Sequence, residues 1–328
     1  MRVFERLDEL YAIGGGTRLA YSPEEDQAHE LAAEWMSEAG LTVDRDEVGN
    51  LFGRRGEARV WSGSHLDTVP NGGRFDGALG VVAAIEAAER LGDLPLAVVA
   101  FRAEESGPMG SRRLTELPDA FLEVHIEQGP TLERLGAPLG VVTGIAGQAR
   151  GSVEFEGRSC HAGTTPMDER SDALVQAAEF VLRVRDSARD GAVATVGALE
   201  VENAATNVVP GRVTVSVDAR APTAEQLEGL IGAIGFEPAW RQDPVAMSGP
   251  PLDALRAVVA DAPELVSGAG HDAMVLAAAG VPTGMLFVRS LNGGVSHCPD
   301  ELSAQEDVAL AVDALATTLR RVVAVVGE

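Results

Sequence analysis

Lysine is absent from this sequence, in which all 26 basic residues are arginine. Chemistry that needs a lysine amine, such as a pyridoxal Schiff base or a phosphate-binding loop lysine, is therefore excluded. Cysteine is limited to 2 residues, which excludes a disulfide framework and makes the cytoplasm the expected compartment. Apolar runs stay well short of the ~18 residues of a membrane span. The acidic N-terminal stretch also lacks the apolar core of a signal peptide.

Acidic residues outnumber basic residues by 50 to 26, which gives a net charge of −24. A field of that sign repels phosphate backbones, so we expect no nucleic-acid partner and, without an apolar span, no membrane partner. Apolar residues make up 45% of the 328 residues and aromatic residues only 4%. This is the profile of a globular chain that is long enough for more than one domain.

The pattern of apolar residues changes twice along the chain, which predicts two domains. Residues 1–147 and 248–328 alternate helical patterns with buried strand patterns, as in an α/β layer. Residues 148–247 contain strands of alternating polarity and two amphipathic helices, which predicts an inserted α+β domain. The predicted fold class is therefore α/β, with a central, largely parallel mixed sheet flanked by helices, plus the inserted domain.

A helix start is predicted near residue 22, with Ser22 as the N-cap and Glu25 closing a capping box. The apolar spacing that follows is helical and ends at Gly40. His29 falls on the polar side of this helix, so we expect it to be exposed to solvent.

The other five histidines lie at predicted strand ends or in loops, where catalytic groups concentrate. They are His65, His125, His161, His271 and His297. Asp67 lies two residues after the first of them, on one face of an extended segment, so the histidine could bind a metal while Asp67 supports its other ring nitrogen. Asp76 follows a turn and precedes a helix, which leaves an N-cap and a metal ligand as alternatives, and the nearby histidine favours the ligand.

Glu104 and Glu105 close an apolar strand pattern. Adjacent strand residues point in opposite directions, so one carboxylate could bind a metal while the other moves protons. The alternatives are a solvated strand end for this pair and a hydrogen-bonded core histidine for His125. Nitrogen and oxygen ligands without a thiolate cluster suit zinc, manganese, cobalt or nickel rather than an iron–sulfur centre. Cys160 and Cys298 lack CxxC spacing, and we expect them to be small buried residues.

Long motifs extend over nearly the whole chain, including GSHLDTVPNGGRFDGALGV, EVHIEQGPTLE, HAGTTPMDERSDAL, SGAGHDAM and VSHCPDE. Together they resemble the hydantoinase/carbamoylase branch of the di-metal aminoacylase/carboxypeptidase superfamily. This branch includes N-carbamoyl-L-amino-acid hydrolases, allantoate amidohydrolases and β-ureidopropionases. The resemblance implies a metal-dependent amidohydrolase that cleaves the carbamoyl C–N bond of an N-carbamoyl-L-amino acid or related ureido acid.

Three alternatives to this activity stay open. The nearest is hydrolysis of allantoate or ureidoglycolate, and a more distant one is an aminoacylase or dipeptidase activity on the same metal centre. The third is a non-catalytic binding relative that keeps the fold. That relative would be expected to lack the base or a metal ligand, whereas this sequence has a suitable residue at each of those positions.

The resemblance implies two divalent metal ions, for which zinc, manganese, cobalt and nickel are all suitable. The implied ligands, with Asp76 shared between the ions, are His65, Asp76 and His125 for the first and Glu105 and His297 for the second. Glu104 is implied to be the general base that acts on the metal-bridging water.

The inserted domain is implied to complete the site. His161 would stabilise the tetrahedral intermediate and, with Asn207, contact the substrate. Arg220 would hold the substrate carboxylate, since a guanidinium matches a carboxylate in bidentate fashion, and Gln148 would add a polar contact. The resemblance also implies that this domain acts as a lid and joins two chains in a homodimer, with residues that reach the neighbouring active site.

The chain departs from the branch at three places. Residues 104–109 are EESGPM, where members usually carry EEGSRF, and the segment from Glu105 to His125 is shorter than usual. Cys298 follows His297 where asparagine or serine is more common. In the branch, the segment that is shortened here helps to frame the substrate region. None of the departures removes an implied metal ligand.

Overall fold

The computed structural model describes residues 2–327. Its α-helices are α1 (Val3–Ala12), α2 (Pro23–Glu38), α3 (Ala78–Leu91), α4 (Thr131–Leu135), α5 (Ala173–Ser187), α6 (Ala224–Ile234), α7 (Pro250–Val258), α8 (Asp272–Ala278) and α9 (Gln305–Val326). Short 3-10 turns lie at Ile13–Gly15, Ser111–Arg113 and Met167–Glu169. No helix among the described residues is long and apolar enough to cross a membrane.

The strands are β1 (Thr42–Arg45), β2 (Leu51–Arg55), β3 (Val60–His65), β4 (Leu96–Phe101), β5 (Ala120–Ile126), β6 (Leu139–Ile145), β7 (Gly147–Glu156), β8 (Cys160–His161), β9 (Val193–Thr195), β10 (Leu199–Val201), β11 (Val208–Val209), β12 (Arg212–Ala221), β13 (Trp240–Gln242), β14 (Val245–Ala246), β15 (Glu264–Ser267) and β16 (Thr283–Val288). The described residues form two compact units. The first unit comprises the chain up to Ile145 and from Ala246 onward, and the second comprises Ala146–Val245.

The large sheet has the strand order β1-β2-β4-β3-β5-β16-β6-β14, with β15 paired to β6. Its central strands β4, β3, β5 and β16 run parallel, while β2 and β6 pair antiparallel beside them. Every residue of β3, β4 and β5 is buried, as expected for strands at the centre of a sheet in an α/β fold. The predicted α/β class with a mixed, largely parallel central sheet is confirmed. Since parallel strands end at one edge, the residues that follow β3, β4 and β5 meet there.

Helix α3 begins directly against a histidine from the sheet. Gly77 precedes it with a φ of +62°, and a β-carbon there would lie 2.4 Å from the ring of His65. Only glycine combines that backbone conformation with so close an approach. Gly77 therefore occupies the N-cap position, and Asp76, which the sequence left open as a cap, directs its carboxylate elsewhere.

The second unit is built on the antiparallel pair β7 and β12, which is flanked by β10, β9 and β13. Strand β12 alternates as the sequence predicts, and its Val213, Val215 and Val217 enter a core shared with α5 and α6. The opposite face of β12 presents Asp218 and Arg220. The role of this unit as a lid and dimerisation domain stays a prediction.

Candidate metal centre

The edge of the large sheet brings together His65, Asp76 and His125, whose ligand atoms all lie within 4.8 Å of one another. Asp76 Oδ1 lies 3.6 Å from Nε2 of His65 and 3.1 Å from Nε2 of His125. All three side chains are buried, because β3 and β5 end beneath the start of α3. Two imidazole nitrogens and one carboxylate oxygen thus converge on a single position.

A second group is formed by Asp76, Glu105 and His297, whose ligand atoms also lie within 4.8 Å of one another. Nε2 of His297 lies 3.2 Å from Oδ2 of Asp76 and 3.6 Å from Oε1 of Glu105. The Asp76 carboxylate raises the pKa of His297 to about 9. Because the two oxygens of Asp76 face different groups, this one carboxylate is shaped to be shared between two cations.

Backbone carbonyls orient the two buried histidines. Nδ1 of His65 lies 3.1 Å from the carbonyl oxygen of Asp67, and Nδ1 of His125 lies 2.9 Å from that of Ile126. A carbonyl only accepts hydrogen bonds, so each neutral ring carries its proton on Nδ1 and directs the Nε2 lone pair toward Asp76. The Asp67 carboxylate is farther from His65 Nδ1, at 3.4 Å. The predicted support of His65 by Asp67 therefore comes chiefly from the main chain.

The Asp67 carboxylate instead holds the two glutamates. It accepts hydrogen bonds from the backbone N–H of Glu104 at 3.0 Å and of Glu105 at 3.1 Å. The prediction that these glutamates lie in a strand is wrong, because β4 ends at Phe101 and Ala103 turns the chain with a φ of +55°. The glutamates still point to different places, since Glu104 Oε2 lies 3.8 Å from His65 Nε2 and Glu105 reaches His297.

Buried negative charge accumulates around this edge. Burial raises the pKa of Glu104 well above its usual range, and Asp272 and Glu105 add to the shift while His65 opposes it. Burial raises the pKa of Glu105, with Asp76 adding to it, and raises that of Asp272 to about 8. Divalent cations would neutralise this charge and keep Glu104 ionised. Three imidazoles and two carboxylates form a donor set that fits zinc, manganese, cobalt or nickel.

The sequence interpretation missed two residues that fix Asp76. Glu301 accepts hydrogen bonds from the backbone of Phe75 and Asp76 and from Ser296 Oγ, at 2.6, 3.1 and 2.7 Å. Its carboxylate fills the space above Gly73, where a β-carbon would lie 2.1 Å from the carboxyl carbon. Gln128 donates to Asp76 Oδ2 at 2.7 Å. Gln128 lies in the EVHIEQG motif and Glu301 in the VSHCPDE motif, so these motifs could have identified both residues.

A third group of possible ligands lies close together and consists of Glu123, His125 and His271. The side chains of this group are already hydrogen-bonded within the protein. Glu123 accepts from Ser64 Oγ at 2.6 Å and from the backbone N–H of Ala273 at 2.8 Å. Nε2 of His271 lies 2.8 Å from Ser267 Oγ. This group therefore braces the sheet edge.

The remaining predicted site residues lie in the second unit, where they form two pairs. His161 lies at the end of β8, and Asn207 accepts a hydrogen bond through its carbonyl from the residue after His161, at 2.9 Å. Gln148 and Arg220 are register partners on β7 and β12. The guanidinium of Arg220 donates to both oxygens of Asp218, at 2.9 and 3.2 Å.

The tautomer of His161 follows from one hydrogen bond. The backbone N–H of Gly163 donates to Nδ1 of His161 at 3.0 Å. Nδ1 is therefore an acceptor, so the neutral ring carries its proton on Nε2. The side chain of His161 is exposed and presents Nε2–H as a donor.

Two local predictions are wrong, and a third is confirmed only in part. His29 is 1% exposed, because it belongs to the buried stripe of α2 that also contains Ala28 and Ala32, a spacing that could have identified it. Cys160 and Cys298 are half-buried free thiols rather than core residues. The predicted capping box is half present.

Ser22 accepts from the backbone of Glu25 at 3.2 Å, as a capping box requires. The Glu25 carboxylate, however, accepts from the backbone of Tyr21 instead of that of Ser22. It also accepts a hydrogen bond from the backbone N–H of Ala103 and pairs with the guanidinium of Arg102, both of which lie outside the helix.

The chain is similar to proteins of a known family over most of its length. Residues 61–321 match the family described as Peptidase family M20/M25/M40. The chain is 35% identical to an N-carbamoyl-L-amino acid amidohydrolase of Geobacillus stearothermophilus, covering 97% of both chains. It is also 35% identical to an allantoate amidohydrolase of Escherichia coli, covering 93% of this chain and 92% of that protein. The resemblance inferred from the motifs is confirmed.

A solved structure is similar over the same extent. The hydantoinase/carbamoylase family amidase from Burkholderia multivorans has a TM-score of 0.90 and 31% identity, covering 98% of this chain and 97% of that one. The alignment with the Geobacillus protein spans 399 positions, whereas this chain has 328 residues. This chain therefore lacks segments that the relative carries, in line with the shortened stretch noted before His125.

Proposed function

The chain belongs to peptidase family M20/M25/M40, in its hydantoinase/carbamoylase branch, and on this premise we propose that it hydrolyses the carbamoyl C–N bond of an N-carbamoyl-L-amino acid or related ureido acid. One water and one substrate would give the free amino acid, ammonia and carbon dioxide. The observation that carries the proposal is the Asp76 carboxylate, whose two oxygens face two separate ligand groups beside Glu104.

Two divalent cations would occupy these ligand groups. His65, Asp76 and His125 would hold the first, and Asp76, Glu105 and His297 the second. When bound, such ions lower the pKa of a shared water and polarise a ureido carbonyl. The donor set supports zinc, manganese, cobalt or nickel.

Glu104 would act as the general base. It is buried, lies next to the first ligand group, and has its main chain fixed by Asp67. An ionised carboxylate there would take a proton from the attacking water and return it to the leaving nitrogen. His161 would donate Nε2–H to the developing oxyanion, a contact of a type worth about 3 kcal/mol.

Recognition of the substrate carboxylate would fall to Arg220, with Asn207 and Gln148 as further polar contacts. The Asp218 carboxylate holds the Arg220 guanidinium in one orientation. Arg220 would therefore present a fixed, planar donor to the substrate rather than a mobile charge. Selection of a carboxylate favours amino-acid-like ureido compounds over neutral ureas. Allantoate, which also carries a carboxylate, is the second candidate substrate, because amidohydrolases of both names are 35% identical to this chain.

Replacing Arg220 by alanine should raise KM for carboxylate-bearing ureido substrates by about 10- to 100-fold, the effect of losing a hydrogen-bonded charge pair. Turnover of an uncharged ureido amide should change little. Arg212→Ala is the matched control, because Arg212 lies on the same strand, is 49% exposed, and pairs with surface glutamates rather than with Asp218 or Gln148. Equal losses on the charged and uncharged substrates would contradict the role of Arg220 as a carboxylate clamp.

Ammonia release from a panel of substrates tests the proposed function. The panel contains several N-carbamoyl-L-amino acids, N-carbamoyl-β-alanine and allantoate, with N-acyl amino acids and dipeptides assayed by amine release. We expect metal-dependent turnover of one ureido class. Hydrolysis confined to the N-acyl or dipeptide substrates would replace the proposal with an aminoacylase or peptidase activity.

We also propose that the chain forms a homodimer through the second unit and functions in the cytoplasm. Helix α5 exposes an apolar stripe that includes Leu174 and Leu182, which are 37% and 51% exposed, with Val175 beside it at 54%. An uncovered apolar stripe of this kind is typical of an association surface. Sedimentation velocity would measure the assembly.

A further inference from the structure

The loop that carries the two glutamates is held by two buried carboxylates. Three successive backbone N–H groups, those of Ala103, Glu104 and Glu105, donate to Glu25 or Asp67 at 3.1, 3.0 and 3.1 Å. Asp67 lies in the loop that follows β3 and accepts two of them. Glu25 belongs to the first turn of α2 and accepts the bond from Ala103.

The conformation of Ala103 makes the Glu25 contact important. Its φ of +55° lies in the left-handed region, which costs an alanine roughly 1–2 kcal/mol. The adjoining Arg102 is fixed as well, since its N–H donates to Asn50 at 2.9 Å. The turn that directs the Glu104 side chain away from the strand is therefore strained, and bonds from the surrounding structure must maintain it.

Glu25 is suited to maintain this turn. Its side chain is fully buried, and Arg102 Nη2 lies 3.1 Å from its Oε2 while Ala103 N–H donates to its Oε1. The guanidinium of Arg102 also bonds Asp26 at 2.6 Å and stacks over the ring of Tyr21 at 5.0 Å. One carboxylate thus links the start of α2 to the side chain of Arg102 and the backbone of the next residue.

We propose that Glu25 is a positioning residue for the reaction: through Ala103 it sets where the Glu104 carboxylate lies relative to the ligand groups. This inference rests on the proposed function, in which Glu104 is the base. A role confined to capping α2 would require bonds only to the start of the helix. The bond to Ala103 lies outside that role, because it joins residues 78 positions apart in the sequence.

Glu25→Gln tests the proposal because an amide group offers one acceptor oxygen and one donor nitrogen. Glu25 faces three donors, the N–H groups of Tyr21 and Ala103 and the guanidinium of Arg102, so the amide must leave some of them unpaired. We expect kcat to fall on the order of 10- to 100-fold, since small displacements of reacting groups have effects of this size. KM and metal content should stay close to those of the wild type.

Glu24→Gln is the matched control, because it removes the same charge from the same helical turn without touching the loop. Hydrogen exchange at residues 103–107 provides a readout that does not depend on activity. It should accelerate in Glu25→Gln and not in Glu24→Gln. If Glu25→Gln does not fold, Glu25→Asp keeps the charge while retracting the oxygens, and it should show the same selective loss of kcat.

Three results are distinguishable. Unchanged exchange at residues 103–107 with unchanged kcat would overturn the positioning role and leave the proposed function intact. A lower melting temperature without a loss of kcat in the folded enzyme would also overturn it, and would assign Glu25 to the stability of α2 alone. A wild-type chain that is silent on every ureido compound would overturn the proposed function itself.

Discussion

Replacing Glu104 by glutamine should lower kcat by about 10²- to 10⁴-fold, the usual contribution of a general base. The amide keeps the shape of the side chain but cannot take a proton from water. Bound metal should remain at the wild-type level, because Glu104 lies 3.8 Å from Nε2 of His65 and belongs to neither ligand group. Steady-state ammonia release and elemental analysis of the same preparation measure both quantities.

Two further variants sharpen this prediction. Glu104→Asp keeps a carboxylate but shortens its reach by one methylene group, so its kcat should lie between those of the wild type and Glu104→Gln. Glu116→Gln serves as the control, since the Glu116 side chain is 67% exposed. Wild-type turnover in Glu104→Gln would remove Glu104 from the role of base.

Replacing Asp76 by asparagine should abolish turnover and weaken metal binding at both positions together. The two carboxylate oxygens lie 3.1 Å from His125 Nε2 and 3.2 Å from His297 Nε2, on separate sides. The asparagine amide has only one acceptor oxygen, and it is neutral. One of the two ligand groups therefore loses its Asp76 oxygen, and both groups lose the negative charge. We expect a loss of activity of at least ~10³-fold, with only residual catalysis from the remaining groups.

Melting temperature measures the same effect without an assay of activity. Ligands that bind only the folded state stabilise it by about 2.7 kcal/mol at 100 times Kd. Added metal should therefore raise the melting temperature of the metal-stripped wild type but not that of Asp76→Asn. Asp93→Asn, at an exposed position after α3, should respond like the wild type. A normal metal response in Asp76→Asn would contradict the shared-ligand geometry.

Much of this centre could be predicted from sequence because its ligands follow buried strands. The strand-like pattern that ends at His65 and the apolar run that contains His125 predict buried strands, and parallel strands deliver both histidines to one edge. Asp76 could be placed near them from its position between a turn and a helix. Which residue caps α3 could not be predicted, because the answer depends on how closely the ring of His65 approaches Gly77.

Contacts between residues that are distant in the sequence could not be predicted from the pattern of apolar and polar residues. Apolar runs predict where a strand continues, but they do not show that the chain turns at Ala103. That turn depends on the hydrogen bond from Ala103 to Glu25, which also pairs with Arg102. Glu301 was missed for the same reason, since it braces Asp76 from a position 225 residues away. Polarity alone also misplaced His29, whose burial follows from the packing of α2.

Metal titration of the metal-stripped protein tests whether two bound ions are needed for activity. Zinc, manganese, cobalt and nickel would be added separately while bound metal and ammonia release from the preferred ureido substrate are measured together. The di-metal mechanism predicts that turnover returns with the binding of two ions per chain, and that Asp76→Asn shows neither. Full turnover in the stripped protein, or a folded protein that binds none of these ions, would contradict it.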